Sequence, residues 1–228
     1  MARKKVLFII VEGPSDDEAL GLIFTRLFSA NHVHVEITHG DITSRNDVNK
    51  DNIVSKIGDI VRKYAADYSL KQSDFLEVIH IIDTDGAYIS NNSIVEDISI
   101  DGIVYSLTEI RCPNKLAIEH RNEKKKENLD RIIYQPTIWK TVPYKVYYMS
   151  CNLDHVLYDK QNNDDEGKKS DSLIFSRKYK DDLNGFVDFM TNSEFSVVND
   201  YKESWEFIKK EMHSLERHSN LGITIKHE

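Results

Sequence analysis

Two short acidic motifs are the places in this 228-residue chain where residue type and spacing could do chemistry. The first reads Ile9-Ile10-Val11-Glu12-Gly13-Pro14-Ser15-Asp16-Asp17-Glu18, and the second reads Ile81-Ile82-Asp83-Thr84-Asp85-Gly86. Residues i and i+2 of an extended segment project to the same side, so Asp83 and Asp85 can converge on one ion. Glu12, followed at once by a glycine turn, projects beyond the end of a buried strand. Carboxylate oxygens are the donors that Mg²⁺ and Mn²⁺ prefer, and Mg²⁺ usually keeps several waters while taking one or two carboxylates. Acids gathered in one crevice repel one another unless a cation offsets them, so their clustering itself argues for metal. Each motif alone is also the kind of acidic turn that ends many strands. The pair carries the argument.

Both motifs need elements to bring them together. Lys5 to Val11 is a continuous apolar run, as expected of a strand covered on both faces. Gly13-Pro14-Ser15 breaks it, Ser15 is the expected N-cap, and Asp16, Asp17 and Glu18 load the first turn of a helix with the charge its N-terminus favours. Leu20, Ile23, Phe24, Leu27 and Phe28 continue at helical spacing to about Ala30-Asn31, and Val33, Val35 and Ile37 then alternate as a second strand. A helix from about Asp51 to Asp67 and a strand from Phe75 to Ile82 follow. Strand, helix, strand, helix, strand is the pattern of a parallel α/β sheet, whose ligands gather at the carboxyl ends of the strands. Both motifs fall at such ends.

Beyond Gly86 the pattern predicts an irregular insertion or hairpin around Ser99 to Ile103, and a charged helix from Asn114 to about Arg131. Tyr144 to Met149 reads as a fourth strand, Asn152 to Tyr158 as a short helix, and Gln161 to Lys169 as a polar loop. The remainder reads as helical, notably Tyr201 to Arg217 with Trp205, Ile208, Met212 and Leu215 on one face.

The chain is 40% hydrophobic and 30% charged, with a formal net charge of −8. That composition fits a soluble globular protein and argues against loose affinity of the whole surface for nucleic acid. Arg121 with Lys124 to Lys126, Lys168-Lys169, and Arg177, Lys178 and Lys180 are basic groups that could form a local basic face. Each also reads as the solvated side of a helix. No apolar run approaches the roughly 20 residues of a membrane helix. The Arg3-Lys4-Lys5 start leads into a core strand rather than a signal peptide. Cys112 and Cys151, far apart and without ligand spacing, read as reduced thiols of a cytoplasmic protein.

In the order Glu12-Gly13 then Asp83-x-Asp85, on this strand pattern, the chain resembles the TOPRIM family. The stretch Glu12-Gly13-x-Ser15-Asp16 is most similar to the TOPRIM domains of OLD-type and related defence nucleases. The resemblance spans roughly residues 5 to 160. It implies a Rossmann-like parallel sheet with helices on both faces, with Glu12 as general acid/base and Asp83 and Asp85 as metal ligands. Asp16, and Asp154 in Ser150-Cys151-Asn152-Leu153-Asp154, are the matching further ligands. The activity implied is Mg²⁺- or Mn²⁺-dependent phosphodiester hydrolysis on DNA or RNA, with a setting in phage defence. One or two ions would polarise the phosphate and lower the pKa of a bound water, two such ions standing about 3.5–4 Å apart.

The sequence departs from OLD-type enzymes in carrying no Walker motif. ATP use in cis is therefore not expected, and a separate ATPase partner or a homo-oligomer is left open. The expected organisation is a TOPRIM-like catalytic domain over 1–160 with an insertion near 87–140, followed by a helical extension over 161–228. Two other readings compete. One is a TOPRIM-like subunit that binds a nucleotide or partner without turnover. The other is a haloacid dehalogenase-like phosphatase, for which Asp83 would be the nucleophile; it leaves Glu12-Gly13 unexplained. A receiver domain ranks lower still, being about half this length. The nine histidines show no persuasive ligand spacing, although His155 adjoins Asp154. Tyr144, Tyr147 and Tyr148 read as packing residues.

Overall fold

The computed structural model describes residues 4–226. β1 (Val6–Val11), α1 (Pro14–Leu27), β2 (His32–Ile37), α2 (Ile53–Asp67) and β3 (Phe75–Asp83) follow one another as the apolar periodicities predict. Three short strands come next, β4 (Ile94–Glu96), β5 (Val104–Tyr105) and β6 (Ile110–Cys112). They form a small second sheet in the order β4-β6-β5, where an irregular insertion or hairpin was expected. α3 (Lys115–Ile132), β7 (Thr137–Ile138) and β8 (Val142–Ser150) return the chain to the main sheet. α4 (Leu153–Tyr158), α5 (Asp165–Tyr179), α6 (Leu183–Asn192), α7 (Tyr201–Ile208), β9 (His218–Ser219) and α8 (Gly222–Ile225) complete it.

The main sheet has six strands in the order β2-β1-β3-β8-β7, with β9 also on β8. β2, β1, β3 and β8 run parallel, while β7 and β9 pair antiparallel with opposite ends of β8. The sheet is therefore mostly parallel, as expected, but mixed through β7 and β9. Alternation along the strands divides the core between two faces. Phe8, Ile10, Val78, Ile82, Val146 and Tyr148 pack with Ile57 and Val61 of α2, Leu129 of α3 and Trp205 of α7. Leu7, Ile9, Ile79, Ile81 and Met149 pack with Leu20 and Phe24 of α1, Val156 of α4, Phe175 of α5 and Phe186 of α6. Among the described residues no helix is long and apolar enough to cross a membrane.

Three local expectations are corrected. Ser15 does not cap α1: Gly13 holds the extended N-cap position and Pro14 opens the helix, where its fixed φ suits the first turn. The loop from Gln161 stops at Asp164, whose carboxylate accepts the Gly167 N–H at 2.7 Å, so Lys168 and Lys169 lie in α5. The helix expected to reach Arg217 ends at Ile208. Glu211 turns to φ 48, and His213 stacks on Phe207 with ring centroids 3.9 Å apart. The apolar stripe is thereby split. Trp205 and Ile208 enter the main core, whereas Leu215 packs with Ile110 and Cys112 beneath the small sheet. Residues 161–228 are also more than a helical extension, because they supply β9 to the main sheet.

Candidate functional site

Three parallel strands deliver the acids. Glu12 directly follows β1, Asp83 ends β3, and α4 opens three residues after β8. Asp83 donates its backbone N–H to Glu12 Oε1 at 3.2 Å, which joins the two motifs across 71 positions of sequence. Asp83 Oδ1 in turn accepts the Leu153 N–H at 2.9 Å, at the N-terminus of α4. Asp16 reaches back along α1, its Oδ2 accepting the N–H groups of Gly13 at 2.9 Å and Glu12 at 3.2 Å. Asp16 thus fixes the backbone from which Glu12 projects.

The Asp83–Gly86 turn is strapped on two sides. Thr84 and Asp85 donate their N–H groups to the carbonyls of Met149 and Cys151, at 3.1 and 2.8 Å. Gly86 N–H and Thr84 Oγ1 both donate to the Ser214 carbonyl, at 3.0 and 2.7 Å. Asp85 and Gly86 sit at φ 49 and 68, which Gly tolerates and Asp accepts more readily than most residues. The early end of α7 has its reason here, since it frees residues 213–215 to hold this turn.

Sequence reasoning missed the groups around Asp85. Lys125 of α3, read as solvated or part of a basic face, is fully buried. Its ammonium lies 2.5 Å from Asp85 Oδ2 and 2.9 Å from Asp41 Oδ2, on the loop after β2. Asp41 also accepts the Thr43 N–H at 2.7 Å and the Thr43 hydroxyl. Arg121 donates to the Asp85 carbonyl at 2.9 Å and to the Tyr105 hydroxyl at 2.8 Å, and that hydroxyl donates to Asp85 Oδ1 at 3.4 Å. A signal for Lys125 did exist. It falls at helical spacing in the stripe Ile118, Asn122, Lys125, Leu129, Ile132, every member of which is buried.

The electrostatics follow from crowding. Burial pushes the Glu12 carboxyl well above its usual range, Asp41 and Asp85 add repulsion, and Lys125 opposes them. Burial also raises Asp83, with Glu12, Asp85 and Asp16 repelling it further. Asp16 is pushed up to about 6, first by burial, against the hydrogen bonds from Gly13 and Glu12. Burial would raise Asp41 too, but Lys125 and the hydroxyls of Thr43 and Ser44 hold it down at about 2.

Glu12, Asp83, Asp85 and Asp154 line one cleft of about 620 Å³, together with Asn163 and Lys168. Asp154 is raised by burial and accepts from Asn163 Nδ2 at 3.2 Å. Asp16 does not line that cleft, although Asp154 acts on it electrostatically. His155 turns away, its Nδ1 accepting the Cys151 N–H at 3.2 Å. His80 is buried against the Tyr144 hydroxyl at 2.9 Å. Among the described residues no three His, Cys, Asp or Glu side chains form a ready-made metal cage. The reason lies in the contacts above. Glu12, Asp83 and Asp16 each commit an oxygen to backbone N–H, and Asp85 commits one to Lys125. Mg²⁺ needs only one or two carboxylates and completes its shell with water, so a cleft whose carboxyls are raised first by burial and then by one another still fits such an ion. No protein-family model, curated protein or solved structure matches the chain.

Proposed function

We propose that this protein is a Mg²⁺- or Mn²⁺-dependent phosphodiester hydrolase with a TOPRIM-like core, acting on DNA or RNA. One observation carries the reading. Two acidic motifs far apart in sequence end adjacent parallel strands, and the Asp83 N–H donates to Glu12 Oε1. In this reading Asp83, which lines one cleft with Asp85 and Asp154, holds the ion, and Asp16 orients Glu12 through the backbone. A bound divalent cation would supply charge stabilisation to the phosphate and acidify a water. Glu12 supplies proton transfer, its carboxyl raised by burial toward the pH at which a general acid/base works best. It takes the proton of the attacking water as the new P–O bond forms, and a proton is returned to the leaving oxygen as the old bond breaks. Lys168 at the rim is a cation for the nucleic-acid backbone.

Glu12→Gln and Asp83→Asn test the reading on end-labelled DNA and RNA with Mg²⁺ or Mn²⁺. Each should lower cleavage by about 10²–10⁴-fold with near-ultraviolet circular dichroism unchanged. Undiminished cleavage by both folded variants would remove the proposal. A second reading, metal-dependent binding without turnover, is favoured by the engagement of Asp85 with Lys125. Calorimetry showing Mg²⁺-dependent nucleotide binding beside a silent nuclease assay would select it.

A further inference from the structure

Asp85 already has a cation, and that cation has a second partner waiting. A buried lysine needs one carboxylate to be neutralised; a second, half-buried carboxylate beside it leaves the group with excess negative charge. Here Lys125 touches both Asp85 and Asp41, at 2.5 and 2.9 Å. An ammonium has three donors and no preferred plane, so it can hold both and lean toward either. Asp41 is built to receive it, with its carboxylate oriented by the Thr43 N–H and hydroxyl. Asp85 is built to be released, since its main chain is fixed independently by Cys151 and by Arg121. Its side chain can change partner without the turn moving.

We propose that Lys125 is a transferable counter-charge, neutralising Asp85 in the cation-free protein and passing to Asp41 when a divalent cation takes Asp85. The inference rests on the metal-site reading above. Before the exchange the three groups carry one net negative charge. Afterwards Lys125 and Asp41 form a neutral pair, and Asp85 faces the ion with Glu12 and Asp83. Without Asp41 the ammonium would remain on Asp85, beside the incoming ion, as a like charge in a buried site. Asp41 is thus a positioning residue for the metal, acting through Lys125.

Mn²⁺ affinity, read by electron paramagnetic resonance, tests this in wild type, Asp41→Asn, Lys125→Met and the double variant. Asp41→Asn should weaken Mn²⁺ binding by about tenfold, and Lys125→Met should tighten it. In the Lys125→Met background the Asp41→Asn loss should shrink below about twofold, because no ammonium is left to rehouse. An equal Asp41→Asn loss in both backgrounds would mean that Asp41 acts only by its charge, and overturns the proposal. Should Lys125→Met not fold, wild-type protein with ¹⁵N-labelled lysine decides the matter. Mg²⁺ should move the Lys125 ammonium resonance, and an unmoved resonance while Mg²⁺ binds defeats the exchange alone. A wild type that binds neither ion defeats the metal-site reading and this inference together.

Discussion

A carboxyl group that must move a proton near neutral pH needs burial or like-charged neighbours, and Glu12 has both. The same crowding makes acid chemistry and stability pull against each other. Asp16 titrates at about 6 in the folded chain against an ordinary 3.8. A raised folded pKa contributes stability that is fully present below about 3.8 and is lost as pH rises through about 6. Without divalent cations, Asp16→Asn should therefore gain about 1–2 kcal/mol over wild type at a pH of about 8 compared with the same difference at about 4. Urea denaturation at the two pH values checks the sign. Mn²⁺ affinity should climb over the same range, because its ligands must shed protons to bind; affinity flat in pH would separate the ion from these acids. At this scale Glu12, Asp83 and Asp85 were legible, since a carboxylate at a strand end next to a glycine turn has few other places to go. Lys125 was not, because its neighbours Lys124 and Lys126 disguise a buried position as a charge run. Asp41 could not be read at all, its meaning coming only from the helix packed against its loop.

The elements that hold the acids owe their placement to two kinds of information. Local periodicity specifies β1, α1, β2, α2 and β3, which is why the first strands and the cleft at their ends were readable from sequence. The Asp83–Gly86 turn depends on distant chain instead, on Met149 near the end of β8, on Cys151 just beyond it and on Ser214 after α7. Such a strap leaves no periodic trace, and Tyr201 to Arg217 accordingly read as one helix. Gly86 reports on the strap. At φ 68, a Cβ there would lie 2.6 Å from Leu215 Cδ2 and 3.0 Å from Ile110 Cδ1. Left-handed strain of about 1–2 kcal/mol and overpacking of about 1–3 kcal/mol add in the same direction. Gly86→Ala should lower unfolding free energy by about 2–5 kcal/mol in urea titrations and weaken Mn²⁺ binding through its neighbour Asp85. A variant as stable as wild type would show the turn to be looser than this packing allows.

For the whole molecule the question is whether residues after α7 decorate the sheet or complete it. Composition and length allowed either, and the apolar pattern suggested an appended helical part. The structure draws them into the sheet. Ser219 Oγ donates to the Tyr148 carbonyl at 2.9 Å, Asn220 Oδ1 accepts the Tyr148 N–H at 2.8 Å, and β9 pairs with Met149 and Ser150. Leu215, Leu221 and Ile225 are buried, Leu215 in the small cluster and the other two in the main core. Ending the chain after Lys209 would strip the end of β8 of these partners and leave the Gly86 N–H without its acceptor, the Ser214 carbonyl. Buried polar groups left unpaired cost about 1–3 kcal/mol each, and each lost large apolar side chain about 2–5 kcal/mol. Several such losses together exceed the roughly 5–15 kcal/mol by which a domain of this kind is stable. The shortened chain should therefore keep much of its far-ultraviolet dichroism, lose its near-ultraviolet signal and cooperative melting, and bind hydrophobic dye. Cooperative melting with Mn²⁺ binding intact would mean that β1, β3 and β8 hold the acids unaided.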